Sequence, residues 1–177
     1  MNNEIRKIIK DKRANLSKET VLKLSDEIFE NLNLLEEIKT YNNFFVYNSF
    51  KGEVDTKKII SLLKENGKVV AFPITVDNTM VAGVPTSTEN VLDNFGISIP
   101  KQYLVLEDID VAIVPLIATD KNKNRLGFGK GFYDKFLSSH TCIKIGICYE
   151  FQIVENLQVN DWDVPLDIIV TEKRIIR

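Results

Sequence analysis

The sequence holds few of the residues from which disulfide frameworks and metal clusters are built. It contains one histidine, His140, and two cysteines, Cys142 and Cys148. The cysteines fall on one predicted strand, where the extended chain between them measures about 20 Å, too far for a disulfide. Without a Cys-x-x-Cys spacing, a metal site of thiolate and imidazole is disfavoured. Any metal is therefore expected to be a hard cation, Mg²⁺, held by carboxylate and phosphate oxygens.

Long apolar runs and an excess of one charge are also missing. No apolar stretch approaches the roughly 20 residues needed to cross a bilayer. The segment Met1–Arg6 has neither the apolar core nor the cleavage site of a secretion signal. We therefore expect a cytoplasmic protein without a membrane partner. The formal net charge of −2 disfavours nucleic-acid binding by overall charge.

The composition is that of an ordinary soluble globular protein. Hydrophobic residues make up 44% and charged residues 27% of the 177 residues, a length that suits one buried core. The chain has no repeat, no low-complexity tract and no linker. We therefore expect a single domain over residues 1–177.

Hydrophobic periodicity predicts helices that alternate with short strands. The predicted elements, in chain order, are a helix over 4–13, a helix begun by Ser17, a strand over 44–47, a helix ended by Gly67, strands over 69–72 and 111–114, a helix over 133–137, a strand over 144–148, a helix over 151–157 and a strand over 168–170. Pro73 is expected to stop the strand before it, and residues 74–106 to form hairpins or irregular chain. This alternation predicts a three-layer α/β fold, an open, mostly parallel sheet flanked by helices.

The most informative segment is the glycine-rich run Arg125-Leu-Gly-Phe-Gly-Lys-Gly-Phe-Tyr-Asp134. It follows the apolar run Val111–Val114, expected to be a central strand, and leads into a helix, so we expect it at the ligand-binding edge of the sheet. Its glycines let backbone approach a ligand, and Arg125 and Lys130 add positive charge. The run fits neither the P-loop nor the dinucleotide-binding pattern. It indicates an anion site, with a mobile surface turn as the alternative.

Residues 125–137 resemble the signature of 5-formyltetrahydrofolate cyclo-ligases, also called methenyltetrahydrofolate synthetases. Further segments that resemble the family are Ile5-Arg6, Glu53-Val-Asp-Thr56, Asn94-Phe-Gly-Ile97 and the segment from Leu166 to Glu172. The chain departs from the family pattern at Asn2 (usually lysine), at Thr119-Asp120 (usually Phe-Asp), at Lys123 (usually glycine) and at Trp162 (usually histidine).

The resemblance implies an enzyme that converts 5-formyltetrahydrofolate, which can be polyglutamylated, and ATP into 5,10-methenyltetrahydrofolate, ADP and phosphate. Phosphorylation of the formyl oxygen makes it a leaving group, so that N10 can close the ring. Such a step depends on charge neutralisation and alignment more than on a protein nucleophile. ATP and Mg²⁺ are the implied co-substrate and metal, and we expect a monomer.

The resemblance also implies site residues. The expected catalytic residues are Arg125 and Lys130. The expected ATP contacts are Arg6, Arg125, Leu126, Gly127, Phe128, Gly129, Lys130, Gly131, Phe132 and Tyr133. The expected folate contacts are Asn48, Glu53, Gly129, Lys130 and Tyr133, and the expected metal ligands are Asp134 and Asp167.

Each assignment has a plainer alternative. The stripe of Arg6, Lys10 and Arg13 on the first helix is also typical of a solvated face. Asp134 also suits the first turn of a helix, where the dipole favours a carboxylate. Trp162 is expected only to pack or to line a rim.

For the whole protein, one alternative is a sugar-phosphate isomerase or acyl-CoA transferase, which share a related α/β architecture. Another is a non-catalytic folate- or nucleotide-binding module.

Overall fold

Five α-helices form where apolar residues recur at helical spacing. In the computed structural model, which describes residues 1–177, they are α1 (Asn2–Ala14), α2 (Lys18–Asn33), α3 (Glu36–Thr40), α4 (Lys57–Glu65) and α5 (Phe132–Ser138). Ser17 begins α2 as predicted, because its hydroxyl accepts a hydrogen bond of 3.0 Å from the backbone N–H of Thr20. Gly67 follows α4 with φ +70°, as expected of a residue that ends a helix.

Thirteen short strands complete the fold. They are β1 (Asn43–Val46), β2 (Val69–Val76), β3 (Thr79–Pro85), β4 (Asn90–Leu92), β5 (Ser98–Pro100), β6 (Tyr103–Val105), β7 (Val111–Val114), β8 (Ala118–Asp120), β9 (Arg125–Leu126), β10 (Ile143–Ile147), β11 (Ile153–Val154), β12 (Ile168–Val170) and β13 (Ile175–Ile176). Eight of them form one sheet in the order β13-β12-β10-β7-β1-β2-β3-β6. Strands β11, β8 and β9 form a second, small sheet, and β4 pairs with β5 in a hairpin.

The centre of the main sheet is parallel. Strands β12, β10, β7, β1 and β2 pair in parallel, and antiparallel pairs occur only at the two edges. Strand β7 lies between β10 and β1 with every residue buried, which confirms the predicted central strand. The chain passes from β1 to β2 on one side and later to β7, β10 and β12 on the other. Beyond the carboxyl ends of β1 and β7 this reversal leaves a crevice, the place where open α/β sheets bind ligands.

Successive side chains of each strand point to opposite faces of the sheet, so they pack in two hydrophobic layers. Phe44 and Val46 of β1 pack in one cluster with residues of α2, α3 and α4. Phe45, between them, packs in a second cluster, where its ring stacks on Phe136 of α5 at 4.4 Å between centroids. This arrangement confirms the predicted three-layer fold. No helix in the structure is both long enough and apolar enough to cross a membrane.

Pro73 does not stop its strand, contrary to prediction. Strand β2 continues to Val76 and pairs with β3 through Pro73, opposite Ala82. The two-residue turn between Val76 and Thr79 makes these two residues a hydrogen-bonded pair, so alternation leaves Pro73 at a position that donates nothing to β3. On its other side, pairing with β1 has already ended at Ala71.

The predicted helix over 151–157 is also wrong. The segment forms one 3₁₀ turn, Glu150–Gln152, and then strand β11. The buried Gln152 side chain fixes this shape, because its amide donates to the carbonyls of Leu116 and Ile117 at 2.9 Å while its oxygen accepts from the backbone N–H of Tyr149. These bonds hold the segment to the loop after β7 and leave no room for a helical turn.

The close packing at Gly146, in the middle of β10, gives a test of the fold. A Cβ at Gly146 would lie 2.5 Å from Leu166 Cδ1 and 2.8 Å from Leu116 Cδ2. We expect Gly146→Ala to lower the free energy of unfolding by about 1–3 kcal/mol through overpacking, measured by urea denaturation. Thr141→Ala, at an exposed position before the same strand, serves as the control and should change it by less than about 0.5 kcal/mol. If Gly146→Ala left the free energy of unfolding unchanged, the result would contradict this packing.

Candidate active site

A cavity of about 810 Å³ opens at the carboxyl ends of β1 and β7, a size typical of small-molecule sites. Tyr47 and Pro115, the residues directly after these strands, line it. The rest of its wall comes from α1, the loop after β1, the β2–β3 hairpin, the β4–β5 hairpin, the glycine-rich run and a segment over 157–163. The sheet topology predicted a ligand site at this edge of the sheet, and the structure has a cavity there.

Nearly all the predicted site residues come together in this wall. All ten residues of the run Arg125–Asp134 lie there, together with Arg6, Asn48 and Glu53. Asp167 is the exception. Segments far apart in sequence thus meet at one place, as the family resemblance implied.

The glycines of the run are required by contacts that a side chain would disturb. Gly129 has φ +97°, a left-handed conformation that side chains rarely adopt. A Cβ at Gly127 would lie 2.8 Å from Nη1 of Arg125. At these two positions the backbone passes close to the guanidinium groups of Arg125 and Arg6.

A buried ion pair joins the two ends of the run. Nη2 of Arg125 donates to Oδ1 of Asp134 at 2.8 Å, with 2% and 19% of the two side chains exposed. The same guanidinium lies 5.4 Å from the centroid of the Tyr133 ring. One face of Arg125 is therefore committed within the protein, while its Nε is buried without a partner.

Helix α1 presents its cationic stripe to the cavity. Asn2, Arg6, Lys10 and Arg13 all line the wall; Arg13 is buried and Arg6 is half-buried, while Lys10 is exposed. Nε of Arg6 donates to the carbonyl of Gly127 at 2.9 Å. Lys10 lies 5.3 Å from the centroid of the exposed Phe128 ring. The helix and the glycine run therefore form one positively charged wall.

Glu53 and Arg13 form a buried pair at the other end of α1. Nη2 of Arg13 lies 3.7 Å from Oε1 of Glu53, with 4% and 8% of the two side chains exposed. Burial raises the pKa of Glu53 to about 7, although Arg13 and a hydrogen bond from the N–H of Phe50 act in the opposite direction. Nε and Nη1 of Arg13 are buried without partners. This end of the cavity holds a carboxyl group that can change its protonation near neutral pH.

Aromatic rings surround the space between Glu53 and the glycine run. Nζ of Lys130 lies 4.1 Å from the centroid of Phe95, whose ring meets Phe132 edge-on at 6.4 Å. Burial, and secondarily the charge of Glu53, raises the pKa of Tyr133, so its hydroxyl stays protonated. Asn48 donates its amide to the carbonyl of Ser98 at 2.8 Å. Flat rings with a few polar groups suit a planar heteroaromatic ligand.

Asp167, the second predicted metal ligand, lies outside the cavity wall that contains Asp134, and its metal role stays a prediction. Asp167 lies just before β12, where its Oδ2 accepts from the N–H of Lys144 at 2.7 Å and pairs with Nζ of Lys144 at 3.0 Å. These residues are at the amino ends of β10 and β12, opposite to the edge that carries the cavity. No cluster of three or more histidine, cysteine or acidic residues suited to a metal is present.

The single carboxylate Asp134 remains beside the glycine run. Mg²⁺ is commonly held by one or two carboxylates together with substrate phosphates and water. The donor set therefore suits an ion carried by a phosphorylated ligand and not a metal centre built by the protein alone.

Sequence reasoning gave no role to several residues of the wall. Among them are Lys51, Thr75, Met80 and the segment over 157–163 with Trp162. Trp162 lines the rim, one of the two places expected for it. The others carry no local motif, because the β2–β3 hairpin and the later segment reach the cavity only through tertiary packing.

Fold and cavity together define an α/β protein with a cation-lined ligand site at the switch point of its sheet. The chain belongs to the 5-formyltetrahydrofolate cyclo-ligase family, whose model matches residues 1–172.

The chain is similar to curated members of this family along nearly its whole length. It is 38% identical to the 5-formyltetrahydrofolate cyclo-ligase of Haemophilus influenzae over 94% of each chain. It is 30% identical to the enzyme of that name from Escherichia coli, over 95% of this chain and 98% of the relative.

A solved structure of the Aquifex aeolicus 5,10-methenyltetrahydrofolate synthetase superposes with a TM-score of 0.89 at 34% identity, covering 99% of this chain and 92% of the other. The Mycoplasma pneumoniae synthetase gives 0.76 at 28% identity, covering 97% and 98%. These findings confirm the family resemblance and the α/β fold.

Two departures from the family pattern have visible structural consequences. Lys123, where the family usually has glycine, adopts φ +64°, the left-handed conformation that glycine favours. Asn2, where a lysine is usual, donates its amide to the carbonyl of Gln158 at 2.7 Å and accepts from the N–H of Gln158 at 3.2 Å. Asn2 thus fixes the segment over 157–163 to helix α1.

The raised pKa of Glu53 predicts a specific dependence of stability on pH. The folded chain binds this proton more tightly than the unfolded chain, whose pKa is near 4.5. Protonation of Glu53 therefore stabilises the fold below about pH 4.5, and this contribution is lost as pH rises to about 7. We expect Glu53→Gln, which cannot ionise, to remove the effect. From pH 4.5 to 7.5 the unfolding free energy of the wild type should fall relative to that of the variant by up to about 3 kcal/mol.

The measurement is urea denaturation of both chains at a series of pH values. Glu65→Gln, at an exposed position on α4, is the matched control and should follow the wild type. A constant difference between wild type and Glu53→Gln across this range would contradict the raised pKa.

Proposed function

We propose that this chain converts 5-formyltetrahydrofolate and ATP into 5,10-methenyltetrahydrofolate, ADP and phosphate. The observation that carries the proposal is the position of the complete run Arg125–Asp134 in the wall of a cavity that also contains Glu53. The proposal is supported by the similarity to proteins named 5-formyltetrahydrofolate cyclo-ligase and 5,10-methenyltetrahydrofolate synthetase.

The chemistry proceeds in two steps that need no protein nucleophile. The formyl oxygen on N5 attacks the γ-phosphorus of ATP, and ADP leaves with the electrons of the broken P–O bond. N10 then attacks the activated formyl carbon, the C–O bond to phosphate breaks, and N10 loses its proton. The protein has to align two ligands and stabilise the charge of the transferring phosphoryl group.

Arg6 and Lys130 are the cations that we assign to the phosphates. Arg6 is held at the glycine run by its bond to the Gly127 carbonyl, and its guanidinium lies about 3.6 Å from where a Cβ at Gly129 would be. Lys130 is exposed and its ammonium lies over Phe95, so it can move towards a phosphoryl group without losing a buried partner. Cations placed where charge develops stabilise the transition state.

Arg125 has a different place in the proposal. Because it is buried and bonded to Asp134, its main contribution is to hold the glycine run in its shape. Its unpartnered Nε remains a donor in this wall. The expected direct contact between Arg125 and phosphate stays a prediction.

Glu53 is the group that we assign to the pterin ring of the folate. A carboxylate can accept two hydrogen bonds from an aminopyrimidine edge, and Arg13 beside it favours the charged form. Asn48 and Tyr133 add polar groups along the same wall. The rings of Phe95 and Phe132 provide flat apolar surface for the pterin.

Mg²⁺ belongs to the proposal as an ion that arrives with ATP. When bound it would neutralise phosphate charge, and Asp134 is the carboxylate that would hold it.

The proposal further places the chain in the cytoplasm as a monomer that binds neither nucleic acid nor membrane and accepts polyglutamylated folate. The net charge of −2 is consistent with the absence of nucleic-acid binding.

The direct test follows the near-ultraviolet absorbance of the methenyl product with and without ATP and Mg²⁺. We expect product only when ATP is present, and faster with Mg²⁺. ATP binding without product would instead support the alternative of a non-catalytic module.

A variant separates the phosphate site from the rest of the enzyme. We expect Lys130→Ala to lower kcat by roughly 100- to 1,000-fold, because one positioned charge donor is lost, while the exposed position leaves the fold intact. The same absorbance assay measures the rate, and Lys135→Ala, an exposed lysine of α5, is the control that should retain it. Wild-type turnover by Lys130→Ala would refute this assignment.

A further inference from the structure

Trp162 is exposed where its ring has no protein partner. It is the only tryptophan of the chain, and 71% of its surface is open to solvent although it lies in the cavity wall. An indole exposed to this extent contributes little to folding, since it removes little apolar area from water. Its flat face at the rim is available to a ligand ring.

The backbone that carries Trp162 is fixed on both sides. Asp163 accepts hydrogen bonds from the backbone N–H of Asn160 at 2.8 Å and from its side-chain amide at 3.2 Å, which closes a turn around the indole. The two bonds between Asn2 and Gln158 anchor the segment to α1. The N–H of Val164 lies 3.4 Å from Oδ1 of Asp134, next to the glycine run. The ring is thus presented from an ordered turn.

Helix α1 gives the order of the groups along the cavity. From Asn2 to Arg13 it spans about 16 Å at 1.5 Å per residue. Trp162 is tied to the Asn2 end, and Glu53 pairs with Arg13 at the other end. Arg6, which contacts Gly127, lies between them. A nucleotide whose phosphates lie at Arg6 and whose far end points away from Glu53 therefore places its base at Trp162.

Charge near the indole favours a base over the tail of a folate. Asp161 and Asp163 flank Trp162 directly. Their carboxylates disfavour a glutamate tail, which is anionic, and do not repel an uncharged purine ring.

From these observations we infer that Trp162 stacks on the purine base of bound ATP, as a base-binding contact at the end of the cavity opposite Glu53. The inference rests on the proposed use of ATP. Because every purine presents a π-face, such a contact tolerates adenine and guanine alike.

The fluorescence of the wild-type chain reports on this contact directly, because Trp162 is its only tryptophan. We would titrate the chain with ATP, GTP and inorganic tripolyphosphate in the presence of Mg²⁺, and measure binding of each by calorimetry. We expect ATP and GTP to change the emission with saturation, and tripolyphosphate to bind without a comparable change. An equal change with tripolyphosphate would overturn the inference, because that probe has no base.

A variant measures what the stack contributes. Loss of the aromatic ring that stacks on a base weakens binding by roughly 5- to 150-fold in Kd. We expect Trp162→Ala to weaken ATP by this factor, to leave tripolyphosphate unchanged, and to fold normally because the indole is exposed. Trp162→Phe should recover part of the affinity. Val159→Ala, 52% exposed in the same segment but outside the cavity wall, should bind ATP as the wild type does.

The outcomes separate this inference from the proposed function. If the wild-type chain fails to bind ATP, both are overturned. If ATP binds equally to wild type and Trp162→Ala, only the inference fails. A loss of affinity for 5-formyltetrahydrofolate, with ATP binding unchanged, would assign the indole to the folate and would also overturn it.

Discussion

The ion pair between Arg125 and Asp134 is the interaction on which the candidate site depends. It joins the first and last residues of the glycine-rich run and excludes water from the guanidinium. A run with glycines at 127, 129 and 131 has little preference for one shape, since glycine loses more conformational freedom on ordering than any other residue. Because breaking a buried pair leaves an uncompensated charge, the loop is held in the shape that presents Lys130 and backbone to the cavity.

The site is complete only when the amino-terminal helix docks on this loop. Ile9 packs in a cluster with Ile117, Ala118 and Leu126, and this contact turns the neighbouring stripe of α1, with Arg6 and Arg13 three and four residues from Ile9, towards the cavity. Arg6 then reaches the carbonyl of Gly127, and Arg13 reaches Glu53. A few apolar contacts in a small third cluster thus set the positions of the cations, which links core packing directly to the chemistry of the site.

The sequence predicted those parts of the fold and site that depend on neighbouring residues. The central strand, the cap at Ser17 and the glycine run follow from local pattern and turn chemistry, and all are present. Pro73 was misread because its tolerance depends on the alternation of hydrogen bonds with β3, which only the register defines. The position of Asp167 outside the cavity wall was not foreseen for a similar reason, since which edge of the sheet a residue occupies follows from topology. Trp162 was expected to pack or to line a rim, but no local pattern predicted the bond between Asn2 and Gln158 that fixes its segment to α1.

The two ends of the cavity differ in the charged groups that they carry, and this difference fits a reaction of two ligands. At the glycine run the positively charged groups are the side chains of Arg6, Arg125 and Lys130. At the other end, burial holds the pKa of Glu53 near 7, so the empty cavity contains a mixture of protonated and ionised carboxyl. A ligand that donates hydrogen bonds favours the ionised form. Binding of an aminopyrimidine edge there would release part of a proton, and so would couple recognition of the folate to pH while leaving the phosphate end unaffected.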